Sequence, residues 1–383
     1  MRPEKRGTLR ELAGLFLRLG ITAFGGPAAH IALMENEVVR QRHWLTKEEF
    51  LDLLGLCNLI PGPSSTEMAI FIGYRRASWR GLILGGLCFI LPAALIVTAL
   101  AWVYMKFGKL PQVAGFLYGI KPVIIAVVLQ ALWSLSRTAI KTKFLGIVGL
   151  LAVGLSYVGV NPLTILFGIG SLMAIIHSIS RRTGTVAGLT PMVGLAIPAS
   201  VASGSIVVPF SLWKLFLFFL KIGSVLFGSG YVLLAFLRSD LVEHWHWLTE
   251  NQLLDAVAVG QFTPGPVFTT ATFIGYILGG PGAALVATVG IFLPSFVLVA
   301  IGSKFVPALR QSPITGAFLD GVNVASLALM AVVTWQLGTA AIVSWPTGLL
   351  ALTAAFLLFR YRVNSAWLVL GGAGVGLLLK PYG

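Results

Sequence analysis

The sequence predicts an all-α polytopic membrane protein built from two homologous repeats. Of its 383 residues, 57% are hydrophobic and only 10% are charged, whereas soluble domains carry about 25% charged residues. Apolar runs such as 81–104, 111–135 and 282–303 reach the roughly 20 residues that a helix needs to cross a bilayer. Because the strands of a membrane β-barrel would alternate apolar and polar residues, these continuous runs indicate helices.

Charge and cysteine content narrow the class further. The net charge of +14 could suit nucleic acid, but the Lys and Arg residues fall in short loops, where they orient a membrane protein. We therefore expect no nucleic-acid partner, while a positive surplus favours an anionic solute. The basic N-terminus shows no signal-peptide cleavage site, so the first apolar stretch is expected to remain in the mature chain. Cys57 and Cys88 are interpreted as buried thiols.

The second half of the chain repeats the first. Residues 16–27, FLRLGITAFGGP, match residues 219–230, FLKIGSVLFGSG, at an offset of 203 residues. So many matches in register predict a duplication, with a first repeat at 8–180, a linker at 181–210 and a second repeat at 211–380. At offsets of 203 or 202 residues the further matches are HWLT at 43–46 and 246–249, Pro-Gly-Pro at 61–63 and 264–266, and FIGY at 71–74 and 273–276.

The distribution of basic residues predicts that the repeats have inverted topology. The loops at 40–47 and 75–80 contain several Lys and Arg residues, whereas their counterparts at 243–252 and 278–282 contain none. Because basic loops face the cytoplasm, the two copies are expected to lie upside down relative to each other. The basic segment 106–109 does not fit this scheme.

Two Gly/Pro motifs interrupt apolar runs in each repeat, at 24–27 and 61–63 in the first. Proline inside a helix costs about 3 kcal/mol, and lipid offers no partner for the backbone groups that it frees. Each broken run is either a re-entrant hairpin or a full span with a discontinuous middle. About four full spans complete each repeat, and an inverted second copy requires residues 186–208 to cross once. In the first repeat these spans are 81–105, 111–136, 143–158 and 161–179.

The breaks are the predicted binding site. Each break ends one helix and starts another near Ser64 or Val267, and the free amides and positive dipole end of a helix N-terminus bind oxyanions. The alternative is tight packing, with hydroxyls bonded back to their own helix. The candidate binding residues are Gly25, Gly26, Asn58, Pro61, Gly62, Pro63, Ser64 and Ser65 in the first repeat, and Gly228, Ser229, Gly230, Gln261, Pro264, Gly265, Pro266, Thr269 and Thr270 in the second.

Ionisable residues at membrane depth are candidates for charge balance or coupling. Arg18 and Lys221 occupy equivalent positions and either balance an anion or extend to the interface. Glu67 has no acidic counterpart. An ionised carboxylate beside an anion is unfavourable, so Glu67 either has a raised pKa and couples transport to a proton, or forms a local ion pair with an Arg or Lys. Lys121 lies in a long apolar run, and its counterpart is Asn323.

Enzymatic motifs are absent from the sequence. It contains no His-Glu-x-x-His, Cys-x-x-Cys or phosphate-binding glycine motif, so we expect no metal, no cofactor and no catalytic residues. The competing class is a membrane-embedded enzyme acting on lipid head groups. Such an enzyme would require ionisable residues, such as Asp52 or Asp255, to converge at one face.

Longer blocks of the sequence carry a family resemblance. FGGPAAHIALMENEVV, WLTKEEFLDLLGLCNLIPGPSSTEMAIFIGY and LCFILPA resemble the signature blocks of the chromate ion transporter family. The second half repeats them as FGSGYVLLAFLRSDLV, WLTENQLLDAVAVGQFTPGPVFTTATFIGY and IFLPSF, with Ser229 and Gly230 where the first copy has Gly26 and Pro27. The matching positions are Phe24, Gly25, Gly26, Pro27, Asn58, Pro61, Gly62, Pro63 and Glu67, then Phe227, Gly228, Gly230, Gln261, Pro264, Gly265 and Pro266.

The resemblance implies a bacterial or archaeal inner-membrane protein that exports chromate and confers resistance to it. Chromate is a tetrahedral dianion, so amides and hydroxyls at facing helix breaks would suit chromate, sulfate or molybdate alike. The expected mechanism is secondary active transport, with the two repeats rocking around a site near the membrane midplane. The expected partners of the protein are the anion and the lipid bilayer, and the sequence leaves open whether it forms a homodimer.

Overall fold

A computed structural model describes residues 6–108, 110–183, 209–227, 230–310, 312–361 and 363–379. Over these residues the chain forms fourteen α-helices and no strand, which confirms the all-α class. Most of the expected linker, including the crossing expected at 186–208, lies outside the described residues. So do the site candidates Gly228 and Ser229.

The helices of the second repeat follow the order of those in the first. Where the first repeat has α2, the second has a short 3₁₀ turn at Gly230–Val232 followed by a single turn of helix, α9. Helices α1 to α7 are Arg6–Thr22, Gly26–Glu35, Lys47–Cys57, Ser64–Phe107, Pro111–Ala139, Lys143–Tyr157 and Pro162–Thr183. Helices α8 to α14 are Leu212–Val225, Leu233–Phe236, Glu250–Phe262, Thr270–Arg310, Pro313–Ala341, Trp345–Phe356 and Ser365–Leu379.

Several helices are long and apolar enough to cross a membrane. Among the described residues five segments meet both criteria, and they fall in α4, α5, α7, α11 and α12. Helices α6 and α14 are equally apolar but shorter, with 15 residues each. The chain is therefore a multi-pass membrane protein, as the sequence predicts.

Helices α4 and α11 are hairpins that reverse direction at a two-residue turn. Residues 77–78 of α4 and 279–280 of α11 have non-helical backbone dihedrals. Beyond the turn the two arms of α4 pack closely, since a β-carbon added to Gly85 would lie 2.7 Å from the carbonyl oxygen of Ala69. In a straight helix these residues would be about 24 Å apart. The turn of α4 coincides with the basic segment 75–80, which the sequence predicts to be a loop.

The HWLT segments recur because each caps a helix. In the first repeat the hydroxyl of Thr46 accepts a hydrogen bond from the amide of Glu49, whose carboxylate accepts from the amide of Thr46. Thr249 and Gln252 make the same reciprocal pair at the start of α10. These capping boxes satisfy amides that a helix N-terminus leaves free.

The last helices of each repeat pack against the opposite repeat. Helix α5 lies against α13 and α14, and its equivalent α12 lies against α6 and α7. Glycines allow the close approach: a β-carbon on Gly376 of α14 would lie 2.7 Å from the Cα of Gly119 in α5. At the equivalent crossing, one on Gly321 would lie 3.0 Å from the Cα of Gly170. Since α4 also packs on α11, the two repeats share one interlocked core.

Candidate functional site

Both Gly/Pro motifs of the first repeat lie between helices. Helix α1 ends at Thr22 and α2 begins at Gly26, so that Pro27 occupies the first turn, where its missing amide costs nothing. Helix α3 ends at Cys57 and α4 begins at Ser64, which leaves Pro-Gly-Pro in the connection. The start of α4 is the one that the sequence predicts.

The second repeat has the same interruptions with one difference. Helix α8 ends at Val225 and α10 ends at Phe262. After the second Pro-Gly-Pro, a 3₁₀ turn at Val267–Thr269 precedes α11, which begins at Thr270. The α-helix therefore starts three residues later than the position expected at Val267, because the first turn is wound more tightly.

The breaks meet in two pairs, and each pair joins the two repeats. The amide of Gly62 donates a hydrogen bond of 2.8 Å to the carbonyl of Leu226, and the amide of Gly265 donates one of 2.9 Å to the carbonyl of Ala23. Equivalent residues make these two contacts, which we call the first junction (Gly62 with Leu226) and the second junction (Gly265 with Ala23). Both glycines have positive φ, 139° and 87°, a conformation that glycine adopts without strain.

Unpartnered polar groups lie at the first junction. Glu67 is fully buried, and within the described part of the chain neither of its carboxyl oxygens has a hydrogen-bond partner. The same holds for the hydroxyls of Thr66 and Ser295, both of which are buried. A β-carbon on Gly62 would collide with Glu67 Oε1 and would lie 2.7 Å from Ser295 Oγ. The carboxyl and the hydroxyl thus flank the same glycine, one from each repeat.

The start of α4 adds backbone donors to this space. The amides of Thr66 and Glu67 donate to the carbonyl of Pro63, at 2.7 and 3.0 Å. The amides of Ser64 and Ser65 come first in the helix, where no intrahelical acceptor exists. Amide donors, hydroxyls and a carboxyl therefore surround the first junction.

The second junction is less polar. The hydroxyls of Thr269 and Thr270 each donate a 2.8 Å hydrogen bond to a carbonyl three residues earlier in the chain, which is the local bonding of the packing alternative. Gly265 faces the methyl group of Ala93 at the position where Gly62 faces Ser295. The two repeats therefore contribute unequally to the polar space.

A histidine accompanies the second junction. His30 is buried and its Nε2 donates a 3.1 Å hydrogen bond to the carbonyl of Ala23, the acceptor that Gly265 also uses. Among the described residues its Nδ1 has no partner. Other site candidates differ in solvent exposure: Gly230 is buried, Gln261 is half-buried, and Asn58 and Gly25 are exposed.

The cationic candidates are each held in an ion pair. Arg18 pairs with Glu37, and the equivalent Lys221 pairs with Asp240, its Nζ 2.6 Å from a carboxylate oxygen. Lys121 Nζ lies 3.0 Å from the carboxylate of Asp255, which is buried, and 3.2 Å from the side-chain oxygen of Asn251. Each of the three cationic residues therefore has a carboxylate beside it, and the carboxylate of Glu37 is shared between Arg18 and Arg42.

Sequence reasoning missed Ser295 and His30. Ser295 follows the repeated Leu-Pro pair and occupies the position of Ala93 in the first copy. A serine within a long apolar run is the sequence feature that could have marked it as a site candidate. His30 has Leu233 as its counterpart and gave only the weaker signal of a lone histidine. No group of three His, Cys, Asp or Glu side chains in the described ranges is arranged to hold a metal ion.

Fold and site together define the class: a multi-pass α-helical membrane protein whose two repeats meet at interrupted helices. The chain belongs to the chromate transporter family. The model of that family, described as Chromate transporter, matches residues 10–176 and matches again over 213–377. The two matches confirm the duplication that the sequence predicts.

Relatives match along nearly the whole chain. A chromate transport protein of Cupriavidus metallidurans is 31% identical, over 98% of this chain and 94% of its own length. A probable chromate transport protein of Synechococcus elongatus is 32% identical, over 91% of this chain and 89% of its own length. An uncharacterized transporter of Bacillus subtilis, YwrA, is 31% identical over 33% of this chain and 71% of its own length. No solved structure matches significantly.

Proposed function

We infer that the chain is a secondary active transporter that exports chromate across the inner membrane of a bacterium or archaeon. The substrate is suggested by the names of the full-length relatives. The observation that carries the proposal is the pair of junctions, where interrupted helices of both repeats bond to one another. Backbone that leaves the helix within lipid survives only where protein or a wet cavity supplies its partners.

The anion binds at the first junction in this proposal. The amides of Ser64 and Ser65 point out of the N-terminus of α4, where the helix dipole favours negative charge. Ser295 and Thr66 offer hydroxyl donors that bind no other described residue. The second junction, whose threonine hydroxyls are already bonded, serves mainly to hold the repeats together.

In this proposal the dipole of the helix N-terminus and the net positive charge of the protein balance the charge of the anion. Arg18, Lys121 and Lys221 do not supply this balance, because each is paired with a carboxylate. A dianion held by neutral donors is coordinated through its oxygens, as sulfate would be. Selectivity between chromate and sulfate therefore depends on the size of the space around Gly62.

Inverted repeats would alternate access by rocking about this site. The two hydrogen bonds between the repeats, Gly62 to Leu226 and Gly265 to Ala23, are equivalent, so one can lengthen while the other shortens. Transport by two repeats that exchange roles in this way is the mechanism expected for inverted duplications.

Uptake of labelled chromate into inside-out vesicles tests the proposal. The variants are Gly62→Ala and Gly265→Ala, and the control is Gly159→Ala. All three glycines have positive φ, but a β-carbon collides at the first two positions and meets nothing within 4 Å at Gly159. The control therefore reproduces the backbone strain without obstructing a junction.

We expect wild type and Gly159→Ala to accumulate chromate, and both junction variants to lose more than about tenfold in rate. Excess unlabelled sulfate reports the selectivity of the site: strong competition identifies a general oxyanion transporter. Uptake that survives both junction substitutions would move the site away from the breaks. Absence of uptake by folded wild-type protein would contradict chromate export.

A further inference from the structure

We propose that Glu67 binds a proton that the anion requires, so that chromate and a proton occupy the first junction together. The proposal rests on the proposed function and names its coupling ion and coupling residue. Its basis is the position of a fully buried carboxyl group, without any partner in the described structure, beside the expected anion donors.

The geometry places the carboxyl and the anion donors in the same space. Glu67 is the fourth residue of α4, and Ser64 and Ser65 are its first two. Ser295 approaches the same face of Gly62 from the other repeat. An anion held by these amides and hydroxyls therefore lies within a few ångströms of the carboxyl. At this separation and in a water-poor site, the repulsion between an ionised carboxylate and a dianion is severe.

The neighbouring helices supply no compensating cation. Cys57 of α3 is a buried free thiol, which can offer no positive charge. Helix α2 contributes His30, which is bonded at the second junction, and α1 contributes Arg18, which is held in its own ion pair. Residues 267–302, which include the packed part of α11, carry no charged side chain. No described Lys, Arg or His forms an ion pair with Glu67.

The coupling follows from this charge arrangement. With its proton, Glu67 is neutral and can donate an O–H hydrogen bond to an anion oxygen; without it, the carboxylate repels the anion. Anion and proton therefore bind together and leave together. When the site opens to the other side of the membrane, the anion leaves and the carboxyl releases its proton to water there. The site then returns to its first orientation without anion or proton. One proton accompanies each dianion, so a net charge of −1 crosses the membrane.

The carboxyl of Glu67 has no counterpart in the second repeat. At the equivalent place it has threonines, whose hydroxyls are bonded within their own helix. A residue that served only to shape the break would be expected in both copies. The carboxyl is a property of one junction, as a coupling residue at a single shared site would be.

Purified full-length protein in proteoliposomes provides the test. Chromate affinity is measured between pH 6 and pH 9 for wild type, Glu67→Gln and Glu67→Asp, with Glu11→Gln as the control. Glu11 undergoes the same chemical change at an exposed position, where it pairs with Arg76. The protonation of chromate itself affects every protein alike, so differences between variants report the side chain. A trapped pH indicator follows proton movement during chromate flux at clamped membrane potential.

We expect the wild-type affinity to fall by up to about tenfold per pH unit on the alkaline side, which is the limit for linkage to one proton. Glu67→Gln, a mimic of the neutral acid, should keep its affinity at high pH and move chromate without protons. Glu11→Gln should keep the wild-type behaviour, whereas Glu67→Asp, which retains a titratable carboxyl on a shorter side chain, should keep a pH-dependent affinity at a reduced level. If Glu67→Gln does not fold, Glu67→Thr, which introduces the residue type of the second repeat, makes the same comparison.

Besides pH-independent binding by wild type, three results would overturn the coupling. They are an unchanged pH dependence in the folded Gln or Thr variant, chromate flux without proton movement in wild type, and a requirement for sodium in place of protons. Wild-type protein that binds chromate independently of pH would contradict the coupling alone. Wild-type protein that does not bind chromate at all would contradict the proposed function as well.

Discussion

Lys121 and Asp255 form an ion pair that joins the two repeats, with 3.0 Å between the ammonium nitrogen and a carboxylate oxygen. Lys121 lies in α5 and Asp255 in α10, and the hydroxyl of Tyr104 donates a 2.8 Å hydrogen bond to the same carboxylate. The residue equivalent to Lys121 is Asn323, so the second repeat cannot make the same pair. This contact is thus one of the features that distinguish the two halves.

Removing one partner of this pair should destabilise the fold strongly. Asp255→Asn leaves the half-buried Lys121 ammonium without its counter-charge. For a fully buried pair such a loss costs about 3 to 5 kcal/mol, and the cost here should approach the lower end, whereas replacing both charges by apolar residues is often nearly neutral. We expect Asp255→Asn to lower the free energy of unfolding in mixed micelles much more than the double change Lys121→Met with Asp255→Leu. Equal losses in the single and double variants would contradict the expected cost of leaving the Lys121 ammonium unpaired.

The equivalent pairs Arg18–Glu37 and Lys221–Asp240 should respond to charge exchange. Arg18→Glu places two carboxylates together and should reduce the yield and thermal stability of the purified protein. Adding Glu37→Arg restores an opposite pair with residue 18 but removes the partner of Arg42, so it should recover only part of the loss. The same exchange at Lys221 and Asp240 is the matched experiment in the second repeat. Failure of both second substitutions to rescue stability would mean that these charges act elsewhere, for example on the transported anion.

The N-terminal caps of α3 and α10 should contribute equally to the free energy of unfolding. Thr46→Ala and Thr249→Ala each remove a hydroxyl that accepts from a helix amide, and each should cost about 1 kcal/mol. Chemical denaturation monitored by tryptophan fluorescence measures the loss. Serine at either position keeps the acceptor and is the control. A Ser variant as unstable as its Ala counterpart would argue against the capping role.

The crossing of α5 and α14 depends on the absence of side chains. A β-carbon on Gly376 would lie 2.7 Å from the Cα of Gly119, whereas one on Gly374 meets nothing within 4 Å. Gly376→Ala should therefore separate the helices and cost about 1 to 3 kcal/mol. Gly374→Ala should be neutral or slightly stabilising, because alanine favours a helix over glycine. Thermal unfolding in detergent compares the two, and equal midpoints would contradict the observed packing.

The sequence predicted those features that each repeat specifies locally. The interruption at Pro-Gly-Pro follows from the effect of proline on a helix, and the turn of α4 lies within a loop that basic residues indicate. The duplication itself was visible as matches in register. Near Val267, where the sequence predicts a helix start, the chain does become helical, but as a 3₁₀ turn at Val267–Thr269 that leads into α11 and has no distinct sequence signal.

Contacts between the repeats could not be predicted in the same way. Nothing in the pattern around Gly62 indicates that its amide will bond to Leu226, because the acceptor is a backbone carbonyl and carries no side-chain signature. The assignment of Lys121 as a charge for the anion had the same difficulty, since its partner Asp255 lies far away in sequence. Ser295 entered the first junction only through the three-dimensional approach of α11 to α4.

The exchange of helices between the repeats has a consequence for how the protein is made. Helix α5 finds packing partners in α13 and α14, which are synthesised after the whole of the first repeat. The amino-terminal half therefore has an uncovered face in the bilayer until these two helices of the second repeat have been made. An ancestral gene encoding one repeat would have met the same need by pairing two copies of its product. Fusion of the two genes would then have guaranteed a partner for every newly made half.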